Sequence, residues 1–540
     1  MTPFATRVDP RGEAFRKNRA DMLALIDRLS DLNGRAALVS EKRKPRFEAR
    51  NQLTPRERLA RLLDPGMPFL TLSNLGGYLH DGRAEEKSIP GSTLIVGIGF
   101  IKGVRTMITV DDSGISAGAM TNAMGVKIQR AQDIALQQKL PFVHLVESAG
   151  GDLLNYTVEN FLSGGTMFAN LARLSKAGLP SIAVLHGSST AGGAYMPGLS
   201  DYVIGVKENG KAFLAGPPLL KAATGEIATE AELGGAEMHA TISGTVEYLA
   251  DDDGEAIGLA REVLARLDWN RHCPKRPISG VRAPLFDADE IAGIVPIDYR
   301  KPYDVREVVA RIVDGSALLD FKPGYGPATV CLQAEIFGHA VGLVGNNGPI
   351  DPAGATKCAQ FLQLCDQADM PVIFLQNTTG YIVGTRSEQA GMIKHGSKMI
   401  QAQTNLEVPR LTLMIGASFG AGNYGMCGRG YNPDFLFTWP NAMTGVMGGE
   451  QAAKTMSMVA RGKAEAAGQP VDEDTLKAQE EFLAAHFDGQ ANAFYTSGHL
   501  QDDGMIDPRD SRNCLGFLLD TVWEARNRTV RPNSFGIARM

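Results

Sequence analysis

The sequence predicts an α/β fold that contains two tandem copies of one domain. Apolar runs of strand length alternate with small-residue turns and helical patterns, as is typical of parallel α/β layers. Residues 141–150 match residues 371–380, an offset of 371 − 141 = 230. Ser189 and Ser418, each inside a glycine-rich turn, keep an offset of 418 − 189 = 229. Two independent landmarks with nearly the same offset indicate an internal repeat.

The composition limits the class of protein. With 540 residues, 44% of them hydrophobic and 21% charged, the chain can bury large cores and form two to four domains. A net charge of −6 argues against nucleic acid as the main partner. The six cysteines form no C-x-x-C pair, so we expect reduced thiols and no metal site. Because no signal peptide or membrane-spanning run is visible, we expect a cytoplasmic protein without a membrane partner.

The N-terminal stretch predicts two helices with a basic run between them. Residues 14–38 carry an apolar stripe at helical spacing. Thr54, Pro55 and Glu57 have the pattern of a helix start, with a capping residue, a proline and a reciprocal acid. Most basic runs are solvated, so we favour that interpretation for residues 42–46. Contact with the phosphates of an anionic ligand is the alternative.

The elements that follow predict the first domain and its end. Residues 95–101 and 106–110 are typical of a strand hairpin, residues 118–138 of a helix, and residues 141–146 of a buried strand. A proline-rich segment near residues 270–300 lacks periodicity and predicts a boundary. We therefore expect domains at 1–285 and 286–540. In the second, residues 451–490 are typical of an exposed helix.

Each copy of the repeat carries a glycine-rich turn after an apolar strand. Residues 182–185 lead into the turn with Gly192 and Gly193, and residues 411–415 lead into the turn with Ala421 and Gly422. Small residues allow a sharp turn, and the first N–H groups of a helix have no internal partner. Such a turn can hold an oxyanion. Two of them suit a reaction in which negative charge develops on two oxygens.

No familiar set of nucleophile and base accompanies these turns. The sequence has no G-x-S-x-G, H-E-x-x-H or P-loop motif, and its histidines lack metal-ligand spacing. We therefore expect backbone N–H groups to stabilise charge while a bound cofactor or substrate does the acid–base work.

Seven short motifs lie in both halves of the chain. They are TAGGAY (190–195), FLAGPPL (213–219), KAATGE (221–226), LGGA (233–236), GNNG (345–348), SFGAGNY (418–424) and MGGEQAA (447–453). With these motifs the chain resembles the carboxyltransferase (β) subunit of biotin-dependent acyl-CoA carboxylases. The resemblance covers nearly the whole chain and implies two crotonase-like domains.

The resemblance assigns roles to the two turns. Gly192 and Gly193 are expected to hold the thioester oxygen of an acyl-CoA as it becomes an enolate, on the N-terminal (acyl-CoA) domain. Ala421 and Gly422 are expected to hold the ureido oxygen of carboxybiotin, on the C-terminal domain. The family's site lies between domains of two subunits, and the biotin anion takes the substrate proton. No biotinylation site is visible, so the resemblance implies a biotinylated α subunit and a β hexamer within an α6β6 assembly.

Two further sites concern the substrate. Ala117, Gly118, Ala119 and Lys127 are candidates for CoA contacts, although an ordinary glycine-rich helix start with a solvated lysine explains them equally well. Residues 420–429 resemble the branch that carboxylates the γ-carbon of 3-methyl-2-enoyl-CoA substrates.

Gly164 and Gly165 are the expected discriminators within that branch. Methylcrotonyl enzymes carry a bulky aromatic residue at the position of Gly164, and its absence leaves volume for a longer prenyl tail. We favour geranyl-CoA, in acyclic terpenoid breakdown, over methylcrotonyl-CoA, in leucine breakdown. The other interpretation is that Gly164 only turns the chain.

Proteins of other classes remain as alternatives. A crotonase-type hydratase or isomerase shares the fold but needs acids for proton transfer, for which only Glu147 and Glu159 are candidates. A CoA-ester decarboxylase subunit would have a membrane-bound partner. A scaffold without activity would not need two intact glycine turns.

Overall fold

The computed structural model describes residues 3–81, 84–278, 280–468 and 472–539. The chain divides into two compact units, and each takes segments from distant parts of the sequence. The N-terminal unit comprises Ser30–Arg276, Gly498–Leu500 and Asp520–Met540. The C-terminal unit comprises Met1–Leu29, Pro277–Ser497 and Gln501–Leu519.

The first half of the chain alternates strands and helices as predicted. Its helices are α1 (Glu13–Glu41), α2 (Lys44–Glu48), α3 (Pro55–Leu62), α4 (Asn122–Gln137), α5 (Val158–Gly164), α6 (Thr166–Lys176), α7 (Tyr195–Gly198), α8 (Pro217–Thr224), α9 (Glu230–Gly234), α10 (Ala236–Met238) and α11 (Asp253–Arg266). Its strands are β1 (Leu70–Leu72), β2 (Leu94–Ile101), β3 (Val104–Asp111), β4 (Phe142–Ser148), β5 (Ser181–Thr190), β6 (Tyr202–Val206), β7 (Lys211–Phe213) and β8 (Tyr248–Ala250).

The strands of the N-terminal unit form one sheet in the order β1-β2-β3-β4-β5-β6-β8, with β7 paired to the end of β5. The first three strands are antiparallel and the rest are parallel. The predicted hairpin and capping box are confirmed, since Thr54 and Glu57 bond reciprocally. Helix α4 begins at Asn122 instead of Gly118, because Ala117 and Gly118 have positive φ angles of 53° and 70°.

The second half repeats this arrangement. Its helices are α12 (Ile291–Ile294), α13 (Val305–Val309), α14 (Pro352–Gln367), α15 (Thr385–Gln389), α16 (Met392–Thr404), α17 (Gly420–Gly425), α18 (Gly449–Ala466), α19 (Glu473–Ala491), α20 (Ala493–Gly498) and α21 (Ser511–Asn527). Its strands are β9 (Leu318–Asp320), β10 (Thr329–Ile336), β11 (His339–Asn346), β12 (Val372–Thr378), β13 (Arg410–Phe419), β14 (Phe435–Thr438) and β15 (Met443–Gly445). The predicted helix at 451–490 is thus two helices.

The sheet of the C-terminal unit has the order β14-β13-β12-β11-β10-β9, with β15 paired to the end of β13. Its core packs α14 and α16 on the sheet, where Phe361, Leu362 and Phe374 are buried. The repeat extends to an irregularity in pairing. The β4–β5 register shifts between Val146 and Ser148, and the β12–β13 register shifts between residues 376 and 378. The predicted internal repeat is therefore confirmed.

Three structural features bear on the expected class of protein. Within the described residues, no helix is long and apolar enough to cross a membrane. In the same part of the chain, no group of three or more His, Cys, Asp or Glu side chains is placed to hold a metal ion. All six cysteines are unpaired, and five of them are buried.

Candidate active site

The first glycine turn begins where β5 ends. Thr190 is extended, with φ −111° and ψ 150°, and Ala191 then enters the left-handed region with φ 54°. A short 3-10 turn over Ala191–Ala194 follows. Gly192 is exposed, and a Cβ on it would meet only the Phe168 ring, at 3.7 Å. The turn therefore presents Gly192 to solvent with a partly buried aromatic ring beside it.

The second turn has the same backbone 229 residues later. Phe419 is extended, with φ −108° and ψ 147°, and Gly420 has φ 55°. Ala421 is exposed and Gly422 is buried. A Cβ on Gly422 would lie 2.8 Å from the Gly380 Cα, so only glycine fits there without a backbone shift. Because α17 has only six residues, a contribution to anion binding must come from individual N–H groups.

The predicted CoA-contact segment lies at the end of β4. Ser148 Oγ donates to the Gly118 carbonyl at 2.7 Å, and the Ala149 N–H donates to the Ala117 carbonyl at 3.1 Å. A Cβ on Gly118 would lie 2.2 Å from the Glu147 carbonyl oxygen. Gly118 is thus required by close packing, and Ala119 continues this turn toward α4.

Lys127 is buried in the N-terminal unit rather than exposed. Its Nζ donates to the backbone carbonyl of Gly91 at 2.8 Å and to that of Leu94. Burial lowers the pKa of Lys127 to about 7. Lys357, which lies 230 residues later, is also buried and donates to the Lys322 carbonyl at 3.3 Å. A buried lysine on the first helix after the hairpin is therefore part of the repeated packing, and Lys127 has no solvent-facing ammonium to offer a ligand.

Gly164 and Gly165 lie at the junction of α5 and α6. A Cβ on Gly164 would meet only the Met167 Cε, at 3.9 Å, so the space around it is open. A Cβ on Gly165 would meet the Leu162 carbonyl at 3.7 Å. Phe168, one helical turn after Gly164, contacts the Tyr195 ring edge-on with centroids 5.8 Å apart. The segment before these glycines exposes the large apolar side chains of Leu153, Leu154, Tyr156, Val158, Phe161 and Leu162.

A cavity of about 360 Å³ opens near the end of β5, within the N-terminal unit, where Gly187 and Ser188 line it. Arg43, Arg46 and Arg50 line it from α2 and its two flanks. Among the described ion pairs, none engages these three arginines. The other lining residues include Ala117, Ser148 and Ala149, and the carboxylates Glu147 and Glu230, which are paired with Arg58 and Lys211.

The arginines of this cavity are functional candidates that the sequence analysis did not select. The basic run was the available signal, but its favoured interpretation was a solvated surface. The cavity walls come from segments more than sixty residues apart in the sequence. Only the fold shows that these three arginines line one cavity with the residues after β3 and β4.

A buried ionic network supports the strand ends beneath the first turn. Arg58 donates to Glu147 at 2.6 Å and to Asp253 at 2.9 Å, and His186 Nδ1 lies 2.7 Å from Asp253. Burial opposes ionisation of Asp253, but the hydrogen bond from His186 and the charge of Arg58 hold its pKa at about 2. Burial lowers the pKa of His186. Arg58 therefore forms ion pairs with two buried carboxylates.

This network bears on the acids considered for a hydratase. The Glu147 carboxylate is paired with Arg58, and Glu159 is exposed on α5. Glu147 is therefore already engaged in an ion pair, and Glu159 faces solvent.

Comparison with known proteins identifies the family of the chain. The sequence profile of the carboxyl transferase domain family matches residues 46–535. The chain belongs to this family. The predicted family is thereby confirmed.

Relatives of the carboxyl transferase family cover the whole chain. A probable biotin-dependent acyl-coenzyme A carboxylase beta2 subunit of Mycobacterium tuberculosis is 46% identical over 99% of both chains. The mitochondrial methylcrotonoyl-CoA carboxylase beta chain of Arabidopsis thaliana is 40% identical over 99% of this chain and 91% of its own length. The crystal structure of the P. aeruginosa geranyl-CoA carboxylase beta subunit superimposes with a TM-score of 0.93, at 50% identity and full coverage of both chains. The fold is therefore two tandem crotonase-like α/β domains.

Proposed function

We propose that the protein is the carboxyltransferase subunit that carboxylates the γ-carbon of geranyl-CoA. The observation that carries the proposal is the pair of turns with the same backbone, at Ala191 and Gly420, one in each unit. Each turn follows the end of a parallel strand and presents an exposed residue, Gly192 or Ala421. A transfer between two carbonyl-type groups needs a separate charge-stabilising turn for each oxygen.

The N-terminal unit is the proposed acyl-CoA side. The N–H groups of Gly192 and Gly193 would donate to the thioester oxygen and stabilise the enolate that forms when the γ-proton leaves. The uncompensated charges of Arg43, Arg46 and Arg50 suit the phosphates of CoA, because guanidinium groups bind phosphate oxygens in pairs. Ala117 would then contact the ligand as part of the cavity wall, and Gly118 and Ala119 would continue that segment. Lys127 would hold the Gly91 and Leu94 carbonyls of the same unit instead of contacting the ligand.

The C-terminal unit is the proposed carboxybiotin side. Ala421 and Gly422 would hold the ureido oxygen, for which the exposed face of Ala421 leaves access. Carboxybiotin, carried by a biotinylated α subunit, supplies carbon dioxide and, as the biotin anion, the base for the γ-proton. This division of work agrees with the ion pair between Glu147 and Arg58, which leaves the Glu147 carboxylate engaged.

The choice of geranyl-CoA has two supports. The solved relative at 50% identity is a geranyl-CoA carboxylase, whereas the methylcrotonoyl-CoA relative from Arabidopsis is 40% identical. The open space at Gly164 could accept a prenyl tail close to Phe168 and the first turn. Methylcrotonyl-CoA is the second candidate, since its γ-methyl group has the same chemistry.

The family resemblance further supports a β hexamer within an α6β6 assembly, with the acyl-CoA side of one copy completed by the carboxybiotin side of another. The unpaired thiols agree with a reducing compartment, and we place the enzyme in the cytoplasm.

The direct test is carboxylation by the chain co-purified with its biotinylated partner, with ATP and bicarbonate. We expect a higher kcat/KM for geranyl-CoA than for methylcrotonyl-CoA, and loss of that preference in Gly164→Phe. Turnover of methylcrotonyl-CoA alone would contradict geranyl-CoA as the substrate. Turnover of neither compound would contradict the assignment to the 3-methyl-2-enoyl-CoA branch of the family.

A further inference from the structure

The two turns share a backbone conformation but are held in place by different contacts. In the N-terminal unit, Ala194 packs against an apolar cluster of Val146, Ala183, Leu185 and Ala212. Apolar packing is non-directional, so it restrains the distance of the turn more than its orientation. Ser189 Oγ, directly before this turn, is buried without a hydrogen-bond partner in the described structure.

The C-terminal unit has a hydrogen-bonded network at the corresponding positions. Val146 corresponds to Gln376 and Ala194 to Asn423, while the serine is retained as Ser418. Ser418 Oγ donates to Gln376 Oε1, and Asn423 Nδ2 donates to Ser418 Oγ at 2.8 Å and to Gln376 Oε1 at 3.4 Å.

The network also reaches the far end of α17. Gln376 Nε2 donates to the Met426 carbonyl at 2.7 Å, and the Gly428 N–H donates to the Asn423 carbonyl at 2.9 Å. A Cβ on Gly428 would lie 1.9 Å from Asn423 Oδ1, so the backbone closes directly over this side chain. Gln376 and Ser418 are fully buried.

The network ties together the three elements that define the second turn. Gln376 lies at the register shift of β12, Ser418 at the end of β13, and Asn423 within α17. Hydrogen bonds are directional, and a buried network that is broken leaves unpaired polar groups, so it holds one orientation. Among the residues that the structure describes, the first turn has no equivalent restraint.

We infer that Gln376, Ser418 and Asn423 are positioning residues that fix the direction of the N–H groups at Ala421 and Gly422. The inference rests on the proposed function of the second turn. It assigns a rigid, hydrogen-bonded turn to the small ureido group and an apolar, adjustable turn to the acyl-CoA. A misplacement of about 1 Å at such donors can cost about 10²-fold in rate.

The test uses the chain with its biotinylated partner and compares Asn423→Ala, Ser418→Ala and the double variant. We expect kcat to fall about 10- to 100-fold in each single variant, while the KM for acyl-CoA stays within about twofold. Because both residues act through one network, the double variant is expected to be no more than about threefold slower than the slower single variant.

Asn441→Ala is the matched control. Asn441 is a buried amide of the C-terminal unit, and it donates to the Ile415 carbonyl on β13 at 3.1 Å, without a described bond to Gln376, Ser418 or Asn423. It should lower the melting temperature as Asn423→Ala does and leave kcat unchanged. Equal kcat losses in both variants, multiplicative losses in the double variant, or a higher KM for acyl-CoA would overturn the inference. An inactive wild-type complex would instead reject the proposed function.

Discussion

Gly422→Ala should damage both the stability and the rate of the enzyme. The new Cβ would lie 2.8 Å from the Gly380 Cα and 2.9 Å from the Thr378 Cγ2. Carbon atoms pack at about 3.5–4.0 Å, so α17 or the Gly380 loop must move by roughly 0.7 Å. Overpacking of this kind costs about 1–3 kcal/mol in the free energy of unfolding. The same movement displaces the N–H groups of the second turn, and we expect kcat to fall roughly 10- to 100-fold.

Gly193→Ala is the matched substitution in the first turn. Its Cβ would lie 3.2 Å from Ser189 Oγ, a side-chain oxygen without a hydrogen-bond partner in the described structure. That hydroxyl group can rotate away, so we expect a loss of less than about 1 kcal/mol. The two variants should therefore differ in melting temperature, since 1 kcal/mol corresponds to about 2–4 °C in a unit of this size.

Thermal unfolding gives the melting temperatures of both variants, and steady-state carboxylation gives their kcat values. If Gly422→Ala melts within about 1 °C of the wild type and keeps its kcat, the close approach of Gly380 does not define the second turn. If Gly193→Ala lowers the melting temperature more than Gly422→Ala does, the inference that the second turn is packed more closely than the first is wrong.

Three further predictions address the acyl-CoA side and the ionic network. Arg46→Glu should raise the KM for acyl-CoA by about 10-fold or more with little change in kcat, because it reverses one of the charges proposed to bind the CoA phosphates. An unchanged KM would show that Arg46 does not contact the CoA. Gly164→Phe should melt within about 1 °C of the wild type, because its Cβ enters open space. A much lower melting temperature would favour the interpretation that Gly164 only turns the chain. Asp253 has a pKa of about 2, below the unfolded value of 3.8. Its ionised form therefore contributes about 2 kcal/mol to the free energy of unfolding above pH 4, and this contribution is lost as the pH falls toward 2. Asp253→Asn should flatten the dependence of the free energy of unfolding on pH in that window, and an unaltered slope would contradict the pairing with Arg58 and His186.

The sequence predicted those parts of the molecule that depend on neighbouring residues. The alternation of apolar runs and turns predicted β4, β5, β12 and β13, and Thr54 with Glu57 predicted the start of α3. Such signals are short-range, because strand alternation and helix capping involve residues only a few positions apart. The start of α4 was predicted too early, since the packing of Gly118 against the Glu147 carbonyl is a long-range contact.

The environments of single charged residues were harder to predict from the sequence. Lys127 was a candidate for a CoA contact, with a solvated lysine as the alternative, but its aliphatic stem is buried and its ammonium group bonds to two backbone carbonyls. Arg43 and Arg46 are exposed, as the favoured interpretation expected, and they also line a cavity. Whether a charge faces water, a carbonyl or a ligand depends on elements distant in the sequence, and no local pattern records it.

The sequence by itself determined the repeat, the family and the position of both turns, because each rests on residues that are contiguous along the chain. The tertiary structure alone decided how the turns are supported. It brought Gln376, Ser418 and Asn423 together in one unit, and Val146 and Ala194 into an apolar cluster in the other. Hydrogen-bond direction and close packing arise only when separate strands and helices meet, so two turns of similar sequence acquire different mechanical restraints.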